Sequence, residues 1–384
     1  MKMLNEEKLR DLVLTRLDHD IKRCHTASAA ITVAQNGKVL LDERRGYKNF
    51  DTGEMLSGGE TYRLASMTKP VTGIACLKAV ELGYFGLDDL LSDYIPEVKN
   101  MKVGVLEGGK VVPSHPPKNG IKIYHLLSHQ SGFMASSPLE SAQYSLYSPE
   151  VHKSIESIVD FTVKNTSLTF EPSEAVGYAT SLPFDAVALI IERKSGLTYG
   201  EFLDKHIFSP LGIKDITFHP TEDQWNRCVA MHDYTVGPGL ATVNLGRNIF
   251  ERHPLTYEAA GAGLMGSCED YFIFAEMLRG RGCYRGERIL SEDTFACFDK
   301  PYVTKEIMQG YALWGLGVRV MAGDDILPDG AFGWSGAYGT HFWVDPTNGI
   351  TAVYMRNMRW YDTHGCGSIG RAFEKNVMAA LNDK

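Results

Sequence analysis

The sequence predicts an α/β (α+β) fold in which an antiparallel sheet, built from both ends of the chain and flanked by helices, carries an inserted all-helical lobe. Three observations predict it. Near the N-terminus, SAAITVAQNGKVLLDERRGY reads as two strands joined at Asn36 and Gly37, the strongest short hairpin signal. The last third returns to strands in YALWGLGVRV and GTHFWVDPTNGITAVYMRN, a meander with a Pro and Gly turn between Asp345 and Gly349. Between these ends, residues 84–220 are irregular and mostly helical in pattern. A chain of 384 residues also exceeds the ~250–300 at which a single core stops growing, which favours two lobes. The expected division gives residues 1–83 and 221–384 to the sheet domain and 84–220 to the helical insert.

The first element is a helix with Leu9, Val13, Leu17 and Ile21 along one stripe. Its sequence, MKMLNEEKLRDLVLTRLDHDIKRC, is charged throughout and lacks an apolar h-region, so it reads as neither a secretory signal nor a membrane span; the expected location is cytoplasmic. The hairpin follows, then a helix in which Ile74, Leu77, Ala79, Val80 and Leu82 are apolar before a glycine stop at Gly83. The insert supplies GLDDLLSDYIPEV, IYHLLSHQSG, PEVHKSIESIVDFTVKN, PFDAVALIIERKSG and TYGEFLDKHIFSPLG as helical signals. SCEDYFIFAEMLRGRG, with Asp270, Phe272, Phe274 and Met277, marks the return to the main lobe. A final helix carrying Ile369, Phe373, Val377 and Leu381 is expected to pack on one face of the sheet.

Composition excludes several function classes. A net charge of -8, spread along the chain, offers no basic surface for nucleic acid or an anionic membrane. The seven cysteines are scattered and form no CxxC or Cys/His spacing, which suits free thiols in a reducing compartment. Among the 12 histidines there is no HExxH; His125 and His129 are four apart, but no third ligand is evident, so structural roles are expected. No metal or cofactor is predicted.

One tetrapeptide carries chemistry. Ser66, Met67, Thr68 and Lys69 place a hydroxyl and an amine one helical turn apart on one face. A serine hydroxyl is a poor nucleophile near neutral pH until a neighbouring base takes its proton, and Lys69 is placed to do so. Ser66 is expected to open the helix, where free backbone N–H groups favour developing negative charge. The competing reading is an ordinary N-cap serine followed by a solvated lysine.

With SMTK at the head of a helix, Tyr178 in GYATS and WSG at residues 334–336, the chain resembles the serine β-lactamase-like superfamily of class C β-lactamases, DD-peptidases and family VIII carboxylesterases. HLLSHQSGF, GLTYGEFLDKHIFSPLGIKDITF, AAGAGLMGSCEDYFIFAEML and FGWSGAYGTHFWVDPTNG are similar to its recurrent segments, in order along nearly the whole chain. The resemblance implies a site between the two lobes, with Ser66 as the acylated nucleophile and Lys69 and Tyr178 sharing the base role, undecided between them. It implies an oxyanion hole from the backbone N–H groups of Ser66 and Ala337, and substrate contacts from Trp334, Ser335, Gly336 and Thr180.

Two departures bear on substrate. Where the β-lactamases and DD-peptidases have KTG, this chain has Trp334, and a neutral indole cannot meet a substrate carboxylate as a cation does. The family's YxN becomes Tyr178, Ala179 and Thr180, without the amide side chain. Both point away from β-lactams and D-Ala-D-Ala peptides, and the tryptophan-containing third motif is similar to that of the family VIII carboxylesterases, which implies a serine hydrolase acting through an acyl-enzyme on small or medium-chain esters. The alternatives are a β-lactamase or D-amino-acid peptidase, and a non-catalytic penicillin-binding-like protein. The expected partner is a small ester or amide; oligomeric state is not legible. Arg356 and Arg359 read either as carboxylate ligands or as surface salt bridges.

Overall fold

Eight strands form one antiparallel sheet in the spatial order Ala312–Trp314, Arg319–Met321, Phe332–Ser335, His341–Asp345, Ile350–Met355, Ser28–Gln35, Lys38–Asn49 and Glu54–Met55. The computed structural model describes residues 2–133, 138, 141, 143, 151–234, 239–245, 257–303, 312–359 and 369–382. The two chain ends meet in mid-sheet, where Ser28–Gln35 pairs with Ile350–Met355 from Ala30↔Met355 to Gln35↔Ile350. The predicted hairpin is present. Asn36 and Gly37 both take positive φ, 51° and 80°, the pairing that a two-residue turn matching strand twist requires. At the other turn, Asp345 Oδ1 accepts from the backbone N–H groups of Thr347 (2.8 Å) and Asn348 (3.0 Å), which fixes the predicted reversal before Gly349.

Helices cover both faces of the sheet, so Ser28–Gln35 is buried at every position. On one face the N-terminal helix Glu6–Lys22 and the C-terminal helix Ile369–Ala379 bury Leu9, Val13, Leu17, Phe373 and Val377 against Ile31, Trp343 and Tyr354. On the other, the helices Thr68–Glu81, Leu182–Ser195 and Cys268–Arg279 bury Ile74, Leu77, Phe184, Val187, Tyr271 and Phe274 against Phe332, Phe342 and Val353. That second core runs without interruption into residues 84–220, reaching Ile123, Leu126, Ile158 and Val163.

Residues 84–220 are not wholly helical. Val103–Glu107 and Lys110–His115 form a hairpin turned by Gly108 and Gly109, at φ 56° and 79°. β-Branched residues around a Gly-Gly pair favour strand over helix there. All six described cysteines are free; Cys366 lies outside the described residues. Much of 134–150 and parts of 219–258, segments that bear on pocket shape, also lie outside them. No helix among the described residues is long and apolar enough to cross a membrane.

Candidate active site

Ser66 sits in a single 3-10 turn, Ala65–Met67, that leads into the Thr68–Glu81 helix, so it precedes the helix rather than opening it. Ala65 is held at φ 47°, a left-handed conformation that costs a residue with a Cβ about 1–2 kcal/mol. Three hydrogen bonds hold the turn in place. Leu64 N–H donates to Leu264 O (3.0 Å), Leu264 N–H to Thr68 Oγ1 (3.1 Å), and Thr340 Oγ1 to Leu64 O (3.0 Å). The hydroxyl is thereby fixed at the positive end of a helix dipole.

Two side chains converge on that oxygen. Tyr178 donates its phenol O–H to Ser66 Oγ at 2.7 Å, and Lys69 Nζ lies 3.2 Å from the same atom. Lys69 is wholly buried, and its amine also reaches the carbonyl of Thr180 and that of Gly261 (2.9 Å). Burial pushes its pKa below the ordinary lysine value, while Tyr178 and Asp185 act in the opposite sense. A neutral amine has two N–H groups and one lone pair. Two carbonyls and the Ser66 oxygen surround the Lys69 amine, and loss of its third proton frees the lone pair toward Ser66 Oγ.

The carbonyls owe their placement to Asp185 and to glycine. Asp185, in the Leu182–Ser195 helix, is fully buried and accepts from Ser181 Oγ (3.0 Å), Tyr257 OH (2.6 Å) and Ala260 N–H (2.8 Å). Burial raises its pKa, and these three bonds and Lys69 work against that rise. Gly261 N–H donates to Ser181 Oγ (3.1 Å), closing the 257–261 segment onto 180–181. A Cβ at Gly261 would lie 2.6 Å from Ser181 Cα and 2.7 Å from Thr180 O, so only glycine lets the two carbonyls approach one amine.

The third motif lies alongside, with Phe332–Ser335 packed against the Ala65–Met67 turn. Adjacent strand residues face opposite ways. Trp334 turns toward the nucleophile, its ring 5.5 Å from Tyr178 and 4.6 Å from Trp314. Ser335 turns away, and its hydroxyl meets His341 Nδ1 at 2.8 Å. His341 Nε2 lies 3.1 Å from the buried Glu374 carboxylate, which Arg319 (2.8 Å) and Arg371 (2.6 Å) also hold. Burial alone would raise Glu374, but these partners keep it below the usual carboxylate range. Gly336 passes so close to Leu64 that a Cβ would lie 2.3 Å from its carbonyl oxygen. Ala337 follows, exposed, on the turn closed by Gly339 N–H to Gly336 O (2.9 Å).

Of the residues singled out from sequence, the structure brings together Ser66, Lys69, Tyr178, the Thr180 carbonyl and Trp334, with Gly336 and Ala337 on the neighbouring strand end. The Thr180 side chain is exposed, and that of Ser335 belongs to the opposite face. Arg359 pairs with Asp233 at 2.8 Å; Arg356 is buried beneath Gly339 and reaches His25 O, so it is not a surface residue. Sequence reasoning did not single out His129, Trp314, Asp185 or Gly261 for the site. His129 and Gly261 left a trace only as parts of the family-like segments HLLSHQSGF and AAGAGLMGSCEDYFIFAEML. Among the described residues, His19, Asp20 and His25 could offer ligand atoms to a metal, but Asp20 is already paired with Arg16 at 2.7 Å.

The Beta-lactamase family model matches residues 13–359. Protein Rv1367c of Mycobacterium tuberculosis (strain ATCC 25618 / H37Rv) is 28% identical over 364 residues, covering 85% of each chain. Esterase EstB of Burkholderia gladioli is 25% identical over 375 residues, covering 91% of this chain and 90% of its own. Among solved structures, EstCE1, described as a hydrolase with promiscuous acyltransferase activity, superposes with a TM-score of 0.82 at 21% identity over 98% of both chains. At that identity the likeness speaks to the fold.

Proposed function

The chain belongs to the Beta-lactamase family of serine hydrolases, and from that premise we propose that it is a carboxylesterase cleaving small or medium-chain acyl esters through an acyl-enzyme on Ser66. The observation that carries this reading is the convergence of the Tyr178 phenol (2.7 Å) and the Lys69 amine (3.2 Å) on one serine oxygen. The Lys69–Tyr178 pair accepts the Ser66 proton as Oγ attacks the ester carbonyl. Negative charge develops on the carbonyl oxygen, toward the N–H groups of Ser66 and Ala337. Collapse expels the alcohol, which takes back the proton, and water repeats the sequence on the acyl-enzyme.

Trp334 favours an ester over a β-lactam. It occupies the place of the cation that would pair with a substrate carboxylate, and its contacts with Tyr178 and Trp314 make that side of the site apolar and neutral. The naming of EstB as an esterase supports the same substrate class. The test is a panel of p-nitrophenyl esters, nitrocefin and D-amino-acid anilides with wild type and Ser66→Ala. Ester turnover lost in Ser66→Ala is expected. Nitrocefin or anilide turnover above that of every ester would overturn the substrate assignment.

A further inference from the structure

We propose that His129 is the positioning residue for Tyr178, gripping the chain on both sides of it so that the phenol stays on Ser66. This rests on the reading above, in which Tyr178 takes part in moving the Ser66 proton. Gly177 N–H donates to the His129 carbonyl at 3.0 Å, and Ala179 N–H donates to His129 Nδ1 at 3.2 Å. One residue thus holds the amide before Tyr178 and the amide after it. To do so His129 adopts φ 61°, which turns its carbonyl and its ring toward the same segment. The imidazole lies 4.8 Å from the Tyr178 ring at a 41° tilt, with Trp314 at 4.3 Å and Phe184 at 5.6 Å as its other ring contacts.

Packing alone does not account for a histidine here. Because Nδ1 accepts a hydrogen bond, the neutral ring carries its proton on Nε2. That Nε2 is buried without a hydrogen-bond partner among the described residues, a cost that a leucine or phenylalanine would avoid. What a hydrocarbon cannot supply is the acceptor for Ala179 N–H. Burial holds the imidazole pKa well below its ordinary value, so the acceptor persists at neutral pH. Displacing a reacting group by 1 Å can cost about 10²-fold in rate, so the grip acts directly on the chemistry.

The test is a double-mutant cycle on p-nitrophenyl butyrate hydrolysis with His129→Leu, His129→Asn, Tyr178→Phe and His129→Leu/Tyr178→Phe, with melting temperatures recorded alongside. His129→Leu keeps bulk and loses the acceptor, and should lower kcat by about 10–10² with KM little changed. His129→Asn, whose Oδ1 can accept from Ala179 N–H, should recover part of the loss at a similar melting temperature. In the Tyr178→Phe background His129→Leu should have little further effect, because it acts through the phenol. Losses that multiply fully in the double variant, or no loss of kcat in His129→Leu, would overturn the proposal while leaving the esterase reading intact. A wild type whose turnover equals that of Ser66→Ala would instead overturn both.

Discussion

Replacing Tyr178 by phenylalanine isolates one atom of the site. The ring keeps its neighbours, His129 at 4.8 Å and Trp334 at 5.5 Å, and only the O–H that donates 2.7 Å to Ser66 Oγ is lost. A single neutral hydrogen bond contributes about 0.5–1.5 kcal/mol to stability, and Ser66 Oγ retains Lys69, so the melting temperature should move by only a few degrees. Catalysis should respond far more. Loss of a positioned proton-transfer group typically costs about 10²–10⁴ in rate, which is ~3–5 kcal/mol of barrier. The assay is kcat/KM for p-nitrophenyl butyrate together with thermal melting monitored by circular dichroism. A variant that melts like wild type and turns over within about threefold of it would refute the reasoning, because the phenol would then have no part in proton transfer.

Three further outcomes are expected. Activity should rise with pH as Lys69 loses its proton, with a midpoint below the ordinary lysine value because burial disfavours the ammonium; Lys69→Met should abolish both that limb and the activity, and a pH profile unchanged in Lys69→Met would contradict it. Gly336→Ala would place a Cβ 2.1 Å from Thr340 Oγ1 and 2.3 Å from Leu64 O, so it should cost about 1–3 kcal/mol of stability and misplace the strand beside Ser66; wild-type melting and turnover would speak against the close approach. Burial, with Lys122 nearby, lowers His125 to about 4. Its folded pKa lies below the unfolded value, so the unfolded chain binds the extra proton and stability falls as pH drops from about 6.5 to about 4, by at most ~3 kcal/mol. Melting temperatures across that range should show the fall, and His125→Asn should flatten it.

The elements whose signals were local were legible in the sequence. Asn36-Gly37 specified its turn because positive φ at two successive residues leaves few choices of side chain, and the four-residue spacing of Leu9, Val13, Leu17 and Ile21 identified the inward face of the first helix, on which the first three are buried and Ile21 partly so. Ser66 and Lys69 were legible for the same reason, since one helical turn fixes their separation. Tyr178 was not. It lies 112 positions from Ser66, and only its resemblance to a family motif singled it out. The opposite facing of Trp334 and Ser335 follows from strand alternation and was open to reasoning once Phe332–Ser335 was read as a strand. Asp185 and Gly261 were out of reach, because their work consists of placing backbone carbonyls, and no side-chain pattern records where a carbonyl points. The hairpin Val103–His115 was hidden by the helical pattern on either side of it.

The central claim is that Ser66 is the activated nucleophile of this molecule. It is tested most directly by incubating wild type and Ser66→Ala with an alkyl fluorophosphonate and mapping the product by intact-mass and peptide mass spectrometry. The account predicts a single adduct on the peptide that carries Ser66, absent from a Ser66→Ala protein that melts like wild type. An unmodified wild-type protein, or an adduct that persists on another residue in Ser66→Ala, would contradict it.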